Sequence, residues 1–376
     1  MIKDHAVRSA TATNPVFPYP RKTLVRGLLR AILRMLLPVL TRLDIQNREG
    51  LPKRGPVILS GNHSGILEAV LMAAYAPRQV EFLGTGDIPL DPRYAWITRV
   101  YGLIPINRGN LDREGIQKSV DVLKQGGILG IFPEGGIWSP ANMAPQLGVA
   151  LISQRAQAPI LPIGFGGLKN ALPRLFKLQR PRVEIRVGEP IPPVPYDQPA
   201  GSLKTALTAK AEEVLRAIRQ LMPEAERTER HVSEAYTLSA ETRPMVQDGQ
   251  SERHSIPGGE VFARFLLNPV LVDALFRNVG LKIDPLRGQA GPTSNGEFRS
   301  ALAEIKAYLQ QNPGFFTYRF GMALGVRMPE ALEALEAQLT RAQAQGAEFW
   351  LEAQVEVAYA DGRLERRAQK YRIVPG

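Results

Sequence analysis

Length, composition and charge limit the classes of protein to which this chain can belong. Its 376 residues are 44% hydrophobic, which is enough to build a core and is typical of a chain with two domains. The absence of cysteine excludes disulfides, thiol catalysis and cysteine-ligated metal. The net charge of +11 indicates an anionic partner, which is a nucleic acid, a membrane surface or a phosphorylated substrate.

The first 50 residues predict an arm followed by a basic amphipathic helix. Residues 1–20 lack the apolar core and cleavage site of a signal peptide, and we expect a poorly ordered arm. The segment 21–37 then carries a cation at every fourth position, with apolar residues on the opposite side. These cations are Lys22, Arg26, Arg30 and Arg34.

This helix is too often interrupted by charge to cross a membrane, because a span needs about 20 apolar residues. We therefore expect it to lie in the interface of an anionic membrane, where each cation contributes about 1 kcal/mol. The alternative is an ordinary amphipathic helix that packs on the protein's own core. No aromatic-basic interleaving or recognised motif supports a nucleic-acid partner.

From residue 51 onward, predicted strands alternate with predicted helices. This alternation indicates an α/β fold with a largely parallel sheet flanked by helices. In such a sheet, loops at the strand ends gather ligands, so the loops 62–65, 107–110 and 133–136 should converge on one rim. Strands are predicted at 57–60, 79–85, 103–106, 127–132, 159–164 and 183–187, and helices at 66–76, 91–101, 112–125 and 145–157.

His63 and Glu68 form the candidate catalytic pair. The apolar run from Val57 predicts a buried strand, and residues 62–65 predict a turn before a helix. A carboxylate five residues after the histidine reaches the imidazole only if His63 precedes the helix and Glu68 lies in its first turns. The alternative is that His63 and Ser64 only cap the helix, although a capping box needs the carboxylate three residues after Ser64 rather than four.

This pair favours general-base chemistry on a hydroxyl group. The carboxylate would fix the tautomer of the imidazole and stabilise the imidazolium that forms when the ring takes a proton. The chain has no cysteine and no serine in a G-x-S-x-G elbow, so no covalent nucleophile is evident. The simplest chemistry is a histidine base that activates a substrate hydroxyl.

Four sequence blocks occur in order between residues 45 and 195. They are Asn-His-Ser-Gly-Ile-Leu-Glu at 62–68, Gly-Leu-Ile-Pro-Ile-Asn-Arg at 102–108, Phe-Pro-Glu-Gly at 132–135 and Pro-Ile-Leu-Pro-Ile at 159–163. In order and separation these blocks resemble those of the glycerolipid acyltransferase family. One block alone would be a weak signal, but four in order behind a basic helix are strong evidence for the resemblance.

The resemblance implies acyl transfer from a thioester of coenzyme A or acyl carrier protein to a hydroxyl of 1-acyl-glycerol-3-phosphate or a related lysolipid. No acyl-enzyme, cofactor or metal would be needed. His63 would be the general base, and Glu68 would orient it. The substrate-binding residues would be Asn107, Arg108, Glu134 and Gly135.

The chemistry of these substrate-binding residues agrees with the resemblance. The planar fork of Arg108 suits phosphate oxygens, and a glycine such as Gly135 lets the backbone approach a ligand closely. The alternatives are a solvated loop cation for Arg108 and an ion pair with a nearby arginine for Glu134. We assign Phe132 and Pro133 to shaping the loop rather than to chemistry.

Two departures from the family pattern concern the substrate. The first block usually ends in aspartate, whereas here it ends in Glu68, whose extra methylene must be absorbed if the contact with His63 is to form. The third block usually continues Gly-Thr-Arg-Ser, whereas here Gly135 is followed by Gly-Ile-Trp-Ser. That missing arginine removes one phosphate contact, so the acceptor is lysophosphatidic acid, another lysolipid or an alcohol with a smaller head group.

The sequence divides into four parts. Residues 1–50 hold the arm and the basic helix, 51–221 form the acyltransferase domain, and 222–259 are charged, polar and poor in aliphatics, which predicts a flexible linker. Residues 260–376 form an α+β module with no catalytic constellation, for which we expect a structural role, with regulation, dimerisation or partner binding as alternatives. Its predicted elements are helices at 261–276, 298–309 and 329–345 and a hairpin over 349–374 that turns at Asp361-Gly362.

We therefore expect a peripheral acyltransferase at the cytoplasmic face of the cell membrane. Its partners would be an anionic phospholipid surface, acyl-CoA or acyl carrier protein as donor, and a lysophospholipid acceptor, with no nucleic acid. The alternative is a non-catalytic lipid-binding or scaffold protein that retains the fold, and a weaker one is a hydrolase that uses water as acceptor.

Overall fold

A seven-stranded sheet forms the centre of the N-terminal part of the chain. The computed structural model describes residues 16–63, 65–85, 92–106, 112–133, 147–168, 171–197, 199, 202–228, 231–245, 250–280, 286, 291–359 and 361–376. The strands of this sheet are β1 (Arg42–Gln46), β2 (Val57–Gly61), β3 (Val80–Thr85), β4 (Ile104–Ile106), β5 (Ile128–Ile131), β6 (Ile160–Gly166) and β7 (Arg182–Val187). Their order is β1-β7-β6-β2-β5-β3-β4. Within the described residues all pairings are parallel except that of β6 with β7, which confirms the predicted fold class.

Helices cover both faces of this sheet. They are α1 (Thr23–Leu40), α2 (Leu67–Tyr75), α3 (Pro92–Tyr101), α4 (Arg113–Lys124), α5 (Gly148–Ala156), α6 (Ala171–Phe176) and α7 (Leu203–Leu221). Val57 and Leu59 of β2 belong to the core that includes side chains of α1 and α2, whereas Ile58 belongs to the core with α4, α5 and α7. A strand that is buried on both faces has consecutive apolar residues, which is why the sequence shows an unbroken run here.

Residues 16–20, predicted to belong to a poorly ordered arm, pack against this domain. The backbone N–H of Phe17 donates to a carboxylate oxygen of Asp121 at 3.0 Å, and the hydroxyl of Tyr19 donates to the carbonyl oxygen of Gln79 at 2.7 Å. The prediction is therefore wrong for this segment, because its aromatic residues and backbone find partners on the domain. Residues 1–15 lie outside the described residues.

The cations at the start of α1 and along it bind groups of the protein. The ammonium group of Lys22 donates to the last carbonyl groups of α3, and Arg34 Nε donates to the carbonyl oxygen of Ala74 at the end of α2, at 2.7 Å. Arg30 donates to the same helix end, at Ala76. Cations at helix C-termini satisfy carbonyl oxygens that lack helical partners and interact favourably with the helix dipole. Burial and then the charge of Arg34 lower the pKa of Arg30.

Arg26, also on α1, is buried against Glu81 of β3. Two hydrogen bonds join the guanidinium and the carboxylate, at 2.5 and 2.9 Å, and Arg21 adds a further bond to the same carboxylate at 2.6 Å. The Arg26 guanidinium also lies over the ring of Tyr101, whose pKa burial raises to about 12. The expectation that the cations of this helix face an anionic leaflet is wrong, because they fasten the helix to the domain.

The apolar face of α1 is exposed instead. The end of α6 and the residues after it add Phe176 and Leu178, which are also exposed. Arg180 places this segment beside the end of α1 by donating to the carbonyl oxygens of Pro38 and Thr41. A contiguous exposed apolar surface marks a contact with a protein partner or a membrane. The exposed residues of α1 are Leu24, Val25, Leu28, Ile32, Met35, Leu36 and Val39.

A second sheet forms the centre of the C-terminal module. Its strands are β8 (His231–Arg243), β9 (Glu252–His254), β10 (Thr293–Ser294), β11 (Glu348–Tyr359) and β12 (Leu364–Val374), in the order β10-β12-β11-β8-β9. The helix α8 (Glu224–Thr228) precedes it, and α9 (Gly259–Leu266), α10 (Pro269–Val279), α11 (Asn295–Gln311), α12 (Gly314–Phe320), α13 (Met322–Gly325) and α14 (Met328–Ala344) lie within it. Side chains from these helices and one sheet face form a core. The predicted hairpin is present, with Gly362 at a φ of 84° in its turn.

The flexible linker predicted over 222–259 is wrong, because it contains β8. This strand pairs along its length with β11, and its other edge pairs with β9. Its inward side chains include Leu238 and Ala240, while its other face carries serine, threonine and glutamate. A strand with one solvated face reads as half polar in sequence, and this polarity led to the linker prediction. The module therefore begins near residue 231 rather than at 260.

Candidate active site

Asn62 fixes the backbone immediately before His63. Its side-chain amide donates to the carbonyl oxygen of Phe165 at 3.0 Å and accepts from the N–H of the same residue at 2.8 Å. Phe165 lies on β6, which pairs with β2, so both atoms of a buried amide tie the end of β2 to the next strand. The sequence analysis assigned Asn62 only to a turn, although a polar residue directly after a buried strand is the signal for such a tie.

His63 and Glu68 are brought together as the spacing predicts. His63 follows β2, and Glu68 lies in the first turn of α2. The distance from His63 Nδ1 to Glu68 Oε2 is 3.9 Å, with the imidazole 19% exposed and the carboxylate fully buried. This distance is longer than a hydrogen bond, but it places a buried carboxylate beside the ring nitrogen. Catalytic contacts often tighten only when substrate binds.

The extra methylene of Glu68 lets the carboxylate fold back over the turn. Its Oε2 accepts the backbone N–H of Gly65 at 3.0 Å. This hydrogen bond partly satisfies the buried charge, and a position in the first helical turn adds the favourable field of the helix dipole. The glutamate therefore fits where the family usually has aspartate.

Phe132 stacks on the imidazole of His63, which the sequence analysis did not predict. The ring centroids are 4.1 Å apart and the planes differ by 15°. Phe132 follows β5, which pairs in parallel with β2 and places Ile131 opposite Ser60. Parallel neighbours end at the same edge of a sheet, so the residues that follow two such strands meet. The assignment of Phe132 to loop shaping alone therefore missed a direct contact.

The predicted substrate-binding residues Asn107, Arg108, Glu134 and Gly135 lie outside the described residues. The strands before them are described: β4 ends at Ile106, and β5 is followed by Phe132 and a buried Pro133. Both strands run parallel to β2, so the loops that follow them start from the edge of the sheet that carries His63. The roles of these four residues stay predictions.

The comparison with protein families identifies the class of this site. Residues 42–166, from β1 to the end of β6, match the family described as Acyltransferase. This segment contains the strand, the turn and the helix that carry His63 and Glu68. Residues 42–166 thus form an acyltransferase domain, which makes up about one third of the chain.

Two curated proteins named 1-acyl-sn-glycerol-3-phosphate acyltransferase are similar to this chain. The one from Bacillus subtilis is 24% identical over 160 residues, which are 42% of this chain and 78% of that protein. The one from Streptococcus pneumoniae is 28% identical over 174 residues, which are 45% of this chain and 62%, less than two thirds, of that protein. Among solved structures, the 1-acyl-sn-glycerophosphate (LPA) acyltransferase PlsC from Thermotoga maritima aligns with a TM-score of 0.38 and 17% identity, over 52% of this chain and 79% of that one.

Proposed function

We propose that this protein transfers a fatty acyl group from acyl-CoA or acyl carrier protein to a hydroxyl of 1-acyl-glycerol-3-phosphate or a related lysolipid. The observation that carries the proposal is the approach of His63 to a buried Glu68 at the carboxyl edge of a parallel sheet, within a segment that matches an acyltransferase family. The names of the two similar proteins from Bacillus subtilis and Streptococcus pneumoniae support this acceptor class.

The reaction would proceed by direct displacement. The acceptor oxygen attacks the thioester carbonyl while its proton passes to His63, and Glu68 stabilises the resulting imidazolium. The tetrahedral intermediate then collapses, the carbon–sulfur bond breaks, and the imidazolium returns the proton to the leaving thiolate. The products are an ester and a free thiol, and no acyl-enzyme forms. Arg108 and Asn107 would hold the acceptor phosphate, and the loop with Glu134 and Gly135 would form the acceptor pocket.

The acyl acceptor is a membrane lipid, so the enzyme needs a membrane surface. The exposed apolar face of α1, with Phe176 and Leu178 beside it, supports a peripheral position on a membrane, for which we propose the cytoplasmic face of an anionic membrane. Among the described residues, none of the helices combines the length and the apolarity that a transmembrane span requires. Because Arg26, Arg30 and Arg34 contact the protein, the contact with lipid would rest mainly on apolar burial rather than on these charges.

The test of the proposed activity is an acyl-transfer assay with a panel of lysolipids. Purified protein on vesicles is supplied with acyl-CoA or acyl carrier protein thioesters, released thiol is quantified, and lipid products are identified by mass spectrometry. We expect thiol release only with an acceptor, and its loss in H63Q. Thiol release without an acceptor would instead indicate a hydrolase. Binding to vesicles with no thiol release from any thioester would indicate a lipid-binding scaffold.

The test of the membrane contact is flotation with vesicles of phosphatidylglycerol and phosphatidylethanolamine. The double variant L28S/M35S removes two exposed apolar side chains from α1, and V326S/L364S is a matched control with two exposed apolar side chains in the C-terminal module. If each lost side chain contributes roughly 1.4 kcal/mol, partitioning of L28S/M35S falls about 100-fold. Equal flotation of both double variants would contradict the contact, and light scattering without lipid shows whether the face instead joins two copies.

A further inference from the structure

The imidazole of His63 is contacted from two sides. Glu68 approaches the ring edge at Nδ1, at 3.9 Å, and Phe132 covers a ring face at a centroid distance of 4.1 Å. The edge contact with a carboxylate is a familiar device for orienting a base. The face contact is an additional restraint, because it fixes the plane in which the imidazole lies.

The sheet holds Phe132 in this position. Phe82 of β3 is fully within the core and lies parallel to Phe132, with a centroid distance of 6.4 Å and an interplanar angle of 1°. Gly130 of β5 makes room for the Phe82 ring, because a Cβ atom at Gly130 would lie 2.4 Å from it. The three rings of His63, Phe132 and Phe82 therefore form a row across three adjacent strands, β2, β5 and β3.

We propose that Phe132 is a positioning residue for His63, which holds the imidazole plane and stabilises the imidazolium that forms during acyl transfer. The proposal rests on the proposed function, in which His63 is the base. The face of a phenyl ring carries negative charge density, so it attracts a cation more strongly than a neutral ring. The interaction therefore strengthens when the acceptor proton reaches the imidazole and weakens when the proton passes to the thiolate. An interaction that is stronger in the transition state than in the ground state raises kcat and leaves substrate binding unchanged.

A second stacked histidine in the same chain provides a matched control. His254 lies against Phe349 with a centroid distance of 6.1 Å and an interplanar angle of 16°. It belongs to the C-terminal module, and its Nε2 is hydrogen bonded to Thr242 at 2.7 Å. Phe349 is fully buried on β11. F349L therefore removes a buried phenyl ring from a histidine with no proposed part in the reaction.

The experiment compares F132L, F132Y and F349L by steady-state kinetics and by NMR of isotope-labelled histidine. We expect F132L to lower kcat about tenfold, equivalent to ~1.4 kcal/mol, with KM changed less than about twofold. F132Y keeps the aromatic face and should retain kcat, and F349L should also retain it. The ring protons of His63, assigned with H63Q, should lose their ring-current shift in F132L and keep it in F132Y.

Three outcomes would overturn the proposal: an unchanged kcat in F132L, an equal fall in F349L, or a fall in F132L that F132Y does not rescue. If thermal unfolding shows that F132L is not folded, F132M supplies the same comparison with a flexible apolar side chain. The proposed function fails separately, if H63Q retains the wild-type rate or the wild-type protein shows no transfer. In that case the ring-current shift alone tests whether Phe132 orients the imidazole.

Discussion

The acyltransferase domain and the C-terminal module each contain a histidine in a closely similar local setting. His63 and His254 each have a glutamate oxygen 3.9 Å from Nδ1. Each ring is also stacked on a phenylalanine, Phe132 or Phe349, with the planes within 16° of each other. The distance to the carboxylate therefore does not distinguish the two sites, whereas the phenyl ring is closer at His63, with a centroid distance of 4.1 Å, than at His254, with 6.1 Å.

The surroundings of the two rings differ. His63 is 19% exposed beside a fully buried Glu68, whereas His254 is 5% exposed beside a carboxylate, Glu252, that is 51% exposed. The Nε2 atom of His254 is also held by Thr242. A base needs an accessible ring and a desolvated carboxylate, and only the His63 site has both.

The two sheets account for this difference. In the acyltransferase domain, helices cover both faces of a mostly parallel sheet, so a ligand can reach it mainly at the strand ends, where His63 lies. In the module, helices cover one face of a mainly antiparallel sheet, and the other face carries cross-strand ion pairs. These pairs include Glu348–Arg372, Glu352–Lys370 and Glu356–Arg366. The second sheet thus has one solvated face, whereas both faces of the first are covered.

The largest expected effect is the difference in kcat between variants of the two histidines. H63Q removes the proposed base, so kcat should fall by about 1,000-fold, in the usual range for loss of a general base. H254Q alters a buried ring in the module and should leave kcat within about twofold of wild type, because it lies outside the site. Thiol release with acyl-CoA and lysophosphatidic acid measures both. Similar rates for the two variants would remove the distinction between the regions.

The next effect is on stability and concerns the buried Glu81 under α1. E81M leaves the guanidinium groups of Arg21 and Arg26 without their carboxylate, one of them fully buried. Removing one partner of a buried ion pair costs about 3 kcal/mol or more of the free energy of unfolding. Denaturant titration should show this loss, and R26M/E81M should recover part of it. An unchanged midpoint for E81M would show that α1 is not held by this network.

A smaller effect compares two buried asparagines. N62A leaves the N–H and carbonyl of Phe165 without their partner, so it should cost about 2 kcal/mol of stability and also lower kcat, because the backbone before His63 loosens. Asn295 of the module donates to the carbonyl oxygen of Leu339 at 2.9 Å, and N295A should cost about 1 kcal/mol with no change in kcat. Thermal unfolding and thiol release distinguish the two. A normal kcat in N62A would contradict the positioning role.

The smallest expected effect lies on the open face of the second sheet. Glu356 is paired with Arg366, whose side chain is 81% exposed, and its own side chain is 41% exposed. Since exposed ion pairs contribute little, E356Q should change the free energy of unfolding by less than about 0.5 kcal/mol. Denaturant titration of E356Q and E81M under the same conditions compares their free energies of unfolding. A loss as large as that of E81M would show that the charge ladder on this face is a major source of stability.

The sequence predicted the acyltransferase domain better than the module. Apolar runs such as 57–60 and 128–131 are buried on both faces, so they stand out from the helices between them. The helix predicted at 112–125 is α4, and Asp112 caps it, because its carboxylate accepts the N–H of Gly115 at 2.8 Å. The strand β8 was missed because one of its faces meets water, and a half-polar strand resembles a linker when its pairing partner lies more than 100 residues away.

The candidate site was predicted in part. The spacing of His63 and Glu68 was sufficient to predict their approach, because a turn followed by the first turn of a helix has little freedom. The contact of Phe132 with His63 depends on which strand lies beside β2, and that order is not encoded in local periodicity. The hydrogen bonds of Asn62 with Phe165 likewise depend on β6 being the other neighbour of β2.

The amino-acid sequence by itself determined three features. These are the alternation of strands and helices, the pairing of His63 with Glu68, and the amphipathic pattern of α1. Only the tertiary structure decided which side of α1 faces outward. The cations bind the protein because Glu81 and the carbonyl groups at the ends of α2 and α3 accept their hydrogen bonds. An amphipathic pattern records two faces, but the polarity of the surface that a helix meets determines which of them is buried.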